Sequence, residues 1–135
     1  MKCGILTVGI SALTLLLSGA GNSAWASVRL GITVTQAQRG LGIDTVDPDG
    51  LADQLQLTTG DLIWTVRGVD RFGNVWQARA TSVPAILPVL DNTETRIDVF
   101  YRRAGVWYRT SGEFLPHGGV RCTTTKLPAT WNPGR

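Results

Sequence analysis

The sequence predicts a mainly β domain of the α+β class, with five to six strands and two short helices. Three stretches predict it. Gly40 to Gly68 runs strand, turn, short helix, Gly-Asp break, strand and closing glycine. Thr81 to Leu90 reads as a second helix, and Ile97 to Arg109 as a hairpin.

The first of these stretches carries the most information. Leu41, Gly42, Ile43 and Val46 form a β-like run that stops at Asp47-Pro48-Asp49-Gly50, a strong turn signal. Leu51 and Leu55 stand at i and i+4, enough for one or two helical turns. Thr59-Gly60-Asp61 breaks that helix. Leu62 to Val66 then reads as a buried strand closed by Gly68.

Upstream, Val28 to Val34 is a first strand candidate with an apolar-Gly-apolar corner, Leu30-Gly31-Ile32, and Thr35 to Arg39 is a polar loop. Downstream, Phe72-Gly73-Asn74-Val75 suggests an extra turn or hairpin; Trp76 either covers the core, the preferred reading, or stands exposed beside the groove. Ser82 is placed to cap the second helix, and Pro84 suits its first turn. Ile86, Leu87, Val89 and Leu90 supply its apolar face, while the interior Pro88 is expected to kink it. Asp91 to Glu94 is a turn. Ile97–Arg102 and Val106–Arg109 form the hairpin, joined through Arg103-Ala104-Gly105.

The order of these elements resembles the PDZ family in its bacterial envelope form. There a strand, a Pro-containing turn and a short helix precede Leu-x-x-Gly-Asp-x-Ile-x-x-Val-x-Gly, and Leu57 to Gly68 matches each fixed position. The resemblance covers Val28 to about Phe114. It implies a small, partly open β-barrel or sandwich that captures an extended peptide, often a free C-terminus. Such a ligand adds a strand to an open sheet edge.

In the resemblance, Leu30-Gly31-Ile32 corresponds to the carboxylate-binding loop. There glycine lets backbone N–H groups converge on an anion. Leu30 and Ile32 would line the pocket for the last side chain, Ile86 and Leu90 would form its other wall, and Arg29 or Arg39 would add positive potential. Leu41-Gly42-Ile43 is a second candidate for the loop. We prefer the first, because Gly40 to Asp61 suits the strand before the first helix.

The chain has 135 residues and a net charge of +3. Lys2, the apolar run from Ile5 to Leu17 and Ala24-Trp25-Ala26 read as a signal peptide cleaved after Ala26. The rival is an uncleaved anchor, although the run is shorter than the ~20 residues a span needs. Cleavage leaves 109 residues, enough for one domain, with a charge of +2 and Cys122 as a lone thiol. Export to the periplasm or outside the cell follows. Residues 115–135, rich in Pro and Gly, are expected to form an extended or mobile tail, with one short strand near Val120 to Thr125.

No catalytic or metal site is expected, nor any cofactor. Ile43-Asp44-Thr45 resembles an aspartic-protease loop but lacks the glycine that must follow. His117 is the sole histidine and lies in the tail. Asp61 is read as closing a turn, and there is no phosphate loop or clustered metal-ligand set. The mild positive charge is spread along the chain, with no basic cluster of the kind nucleic-acid or polybasic lipid binding would need. Two functions stay open: a secreted or periplasmic peptide-binding module without stable membrane insertion, and an envelope assembly module. In the second, the groove holds the protein's own tail or a fixed partner.

Overall fold

The structure is a computed structural model that describes residues 30–131. Strands β1 (Ile32–Gln36) and β2 (Leu41–Val46) precede helix α1 (Leu51–Gln54). Strands β3 (Leu62–Val69) and β4 (Val75–Arg79) lead to helix α2 (Val83–Asn92). Strands β5 (Arg96–Arg103), β6 (Val106–Phe114) and β7 (Val120–Lys126) complete the chain. All seven strands belong to one antiparallel sheet, ordered β1-β2-β3-β5-β6-β7, with β4 paired to β3 beyond the short β2 contact. The class is mainly β with two short helices, as the sequence predicts, with one strand more than expected.

Alternation decides the two faces. Ile97, Val99 and Tyr101 of β5 point inward and are at most 1 % exposed. They join Ile63 and Val66 of β3, Leu41 and Ile43 of β2, and Val83, Ile86, Val89 and Leu90 of α2 in one apolar cluster. Each fully buried aliphatic side chain there is worth about 1.5–3 kcal/mol. Both helices pack on this inner face. α1 is a single turn with no side-chain cap, held by Ala52 and by Leu55 beyond its end.

α2 begins as predicted, with Ser82 Oγ accepting from the Ala85 N–H at 3.3 Å. It does not end at Leu90 but runs on to Asn92, through Pro88. The N–H that Pro88 lacks would have met the Pro84 carbonyl, and Pro84 is exposed, so water can take that place. Thr93 Oγ1 donates to the Val89 carbonyl at 2.6 Å and closes the helix. That hydroxyl packs on Gly68, where any Cβ would overlap it. The glycine near the end of β3 is therefore a packing requirement.

Two expectations change. Trp76 does not cover the core; it is 37 % exposed, beside a β3–β4 turn whose Phe72 is 81 % exposed. The tail is also more ordered than an extended segment, and the short strand expected near Val120 to Thr125 is present as β7. β7 pairs with β6 over its full length, and Val120 enters the core at 1 % exposure. Beyond it, Trp131 stacks parallel on Phe100 at 5.8 Å and leans on Trp107 at 5.3 Å. Prolines at 116 and 128 flank β7 and do not interrupt it. Cys122, expected as a lone thiol, is disulfide-bonded, and its partner lies outside the described residues. The proposed signal sequence also lies outside them.

Candidate functional site

The site read from the sequence centres on Gly31 and the strand that follows. Gly31 has a φ of 76°, a left-handed conformation that glycine adopts without strain. Its carbonyl accepts from the Asp47 N–H at 2.7 Å, so the corner is clamped to the Pro48 turn. Leu41-Gly42-Ile43, the alternative loop, is instead the start of β2, an interior strand paired on both sides.

Among the described residues β1 has one strand partner, β2. The direction of its backbone groups follows from the ladder. The N–H of Ile43 donates to the Asp61 carbonyl and its own carbonyl accepts from Gly60, so both groups face away from β1. Val34 opposite Ile43 is then a non-hydrogen-bonded pair, and the Val34 N–H and C=O face away from β2. The Gly31 carbonyl points toward β2, so alternation sends the backbone groups of Ile32 outward as well. A row of backbone donors and acceptors thus runs along the edge of β1, starting at the glycine corner.

The side chains named for the pocket are brought together but closed. Leu30, Ile32, Ile86 and Leu90 share one apolar cluster, at 0 %, 0 %, 0 % and 1 % exposure. α2 packs on β3 and β4. A pocket for a ligand side chain would need one of these residues to move. Arg29 lies outside the described residues. Arg39 is exposed in the β1–β2 turn, at the far end of β1 and roughly 16 Å along the strand from Gly31. It does not reach the loop.

The group that does stand beside Gly31 is acidic. Asp47 Oδ2 lies 3.7 Å from where a Gly31 Cβ would be, is shielded from water and has no hydrogen-bond partner among the described residues. A carboxylate brought to this loop would meet that like charge. Unit charges 4 Å apart repel by about 4 kcal/mol near a protein surface. The loop thus presents an edge for pairing more readily than a nest for an anion.

Asp61, the other acidic residue singled out in the sequence, is bound into the fold. Asp61 is 1 % exposed; its carboxylate accepts from Thr58 N–H at 2.8 Å and from Arg103 Nε and Nη2, both at 2.7 Å. That bidentate pair ties the Gly-Asp turn to the end of β5. It also holds the Arg103 guanidinium above its ordinary range, through the hydrogen bond to Asp61. Asp44 and Asp47 lie on opposite sides of Val46 with no histidine near, because His117 is exposed in the β6–β7 turn. Among the described residues, no three of His, Cys, Asp and Glu group as a metal set.

The outer face of the sheet was not legible as a unit. Cross-strand pairs Arg67–Asp98–Ser111–Thr123, Phe100–Arg109–Thr125 and Arg96–Glu113–Arg121 lie on it. Burial raises the Asp98 pKa, but hydrogen bonds from Ser111 and Arg67, with Arg109 and Arg96 nearby, hold it below 3.8. The signal was there as an every-second-residue pattern in Arg96, Asp98, Phe100 and Arg102. Comparisons with family models, curated proteins and solved structures found no match.

Proposed function

We propose that this chain is an exported, PDZ-like protein-binding module that takes an extended segment of a partner as an added strand on β1. The observation that supports it is the unpaired edge running from the Gly31 corner, with Ile32 and Val34 directing backbone groups outward. Each ligand hydrogen bond to that edge contributes about 0.5–1.5 kcal/mol net, so four or five suffice for weak, readable binding. The buried aliphatic residues of the corner hold the edge straight.

The test is a peptide screen of residues 27–135, with each hit repeated as its C-terminal amide. Val34→Pro removes an outward N–H while keeping an apolar side chain. The expected result is binding that Val34→Pro weakens at least tenfold without loss of cooperative unfolding. Loss on amidation would assign the terminal carboxylate to the Gly31 loop; indifference would assign pairing along the edge alone. Peptide binding that ignores Val34→Pro would overturn the reading.

The second reading is an assembly module that docks one fixed partner. The closed state of Leu30, Ile32, Ile86 and Leu90 favours it, because no pocket is open to sort side chains. Its variant with the tail in the groove is disfavoured through Trp131, since β7 pairs with β6 at the other end of the sheet order. This reading expects no hit from the screen.

A further inference from the structure

We propose that the outer sheet face and the β3–β4 tip form a docking surface for an anionic lipid bilayer. Two independent features meet there. One is charge. Arg67, Arg79, Arg96, Arg102, Arg109 and Arg121 point outward from β3 to β7, against only Asp98 and Glu113 on the same strands. Both helices lie on the opposite face. Arg67, Arg96 and Arg109 converge on Asp98, and Arg121 pairs with Glu113, so two carboxylates are shared among the arginines and the face stays net positive. Arg121 is 70 % exposed and Arg96 47 %. Arginine forks match phosphate oxygens, and each such residue near a negatively charged leaflet adds binding within a Debye length.

The other feature is an apolar wedge continuous with that face. Val75, paired with Val69 on the outer side, is 61 % exposed; Phe72 at the tip is 81 % exposed and Trp76 on the inner side 37 %. The wedge is held out, not loose. Asp70 accepts from the N–H groups of Phe72 and Asn74 at 2.9 Å and from Trp76 Nε1 at 3.3 Å. Arg71 is fixed by Glu94 at 2.7 Å, so with Asp70 the turn carries one net negative charge, and the positive potential comes from the sheet face behind it.

The size of the wedge selects the occupant. Roughly 350 Å² of aromatic and valine surface stands out of the sheet. A stable protein interface needs about 800 Å² per partner and matching shape. A lipid surface needs no matching shape. Phe and Trp entering the headgroup boundary beside arginine is the composition expected of an interfacial contact. Trp107 and Trp131, half-buried on the same face, lie at its other end, beside Arg102.

The test is co-sedimentation of residues 27–135 with vesicles of phosphatidylcholine alone, and with vesicles of equal parts phosphatidylcholine and phosphatidylglycerol. Binding is expected to the second only and to weaken with salt. Phe72→Ser, at an exposed turn position, is expected to weaken it about tenfold. Arg102→Gln with Arg121→Gln is expected to weaken it about thirtyfold. No sedimentation overturns the proposal, as does sedimentation indifferent to Phe72→Ser. Binding to a soluble polyanion such as an oligonucleotide without vesicle binding also overturns it. So does a Phe72-dependent dimer without vesicle binding.

Discussion

Asp61 invites an acid–base role, and its contacts make a different prediction that can be weighed. Asp61 is 1 % exposed, while Arg103 is 37 % exposed, so the two halves of this ion pair are not equivalent. Arg103→Met strands a carboxylate that keeps only the Thr58 N–H, in a place water cannot reach. Breaking a buried pair from that side costs about 3 kcal/mol or more. Asp61→Asn keeps an acceptor for Thr58 and lets Arg103 swing toward solvent, where it still meets the Gln56 carbonyl at 3.0 Å. Discounted for that exposure, its cost is about 1.5 kcal/mol.

The double variant then has no stranded charge. It should be more stable than Arg103→Met alone, by about 1 kcal/mol, although it carries one more substitution. Urea titrations followed by circular dichroism measure all three. For a domain near 100 residues, the Arg103→Met loss should appear as a fall in Tm of roughly 15 °C. A double variant less stable than Arg103→Met would refute the reasoning. So would Asp61→Asn costing more than Arg103→Met.

Removing residues 116–135 deletes β7, the Val120 contact and the Trp131 cap, and should lower stability by roughly 4 kcal/mol or abolish cooperative unfolding. Were the tail a plug in the groove, truncation would leave Tm unchanged and expose peptide binding; the melting curve separates these. The acid limb of stability should depend on Asp98, whose native pKa lies below its ordinary 3.8. A lowered native pKa stabilises the fold above the unfolded value and is lost as pH falls through the native one. Wild type and Asp98→Asn should therefore differ at neutral pH, begin to approach each other only below pH 3.8, and converge once pH has fallen through the native pKa, read from thermal melts across that range.

Local patterns carried much of the fold. The Gly40 to Gly68 order, the Ser82 cap and the Ile97 to Arg109 hairpin are short-range signals, and turn chemistry decides them before any packing. Trp76 was misread because composition says only that an aromatic ring is apolar. Which side of β4 faces water depends on where Asp70 holds the turn. The tail was read from its prolines, but a polar Thr-rich strand becomes stable only when β6 offers its edge.

The sequence by itself determined the class, the glycine corner and the structural role of Asp61, because each depends on residues close in the chain or on a glycine that nothing else can replace. Tertiary structure decided the rest. It closed the aliphatic residues of the expected pocket into the core, placed Asp47 beside Gly31, and left β1 as an edge. It also gathered arginines from five strands onto one face. Those outcomes depend on strand order and register, and hydrogen bonds between distant segments set both.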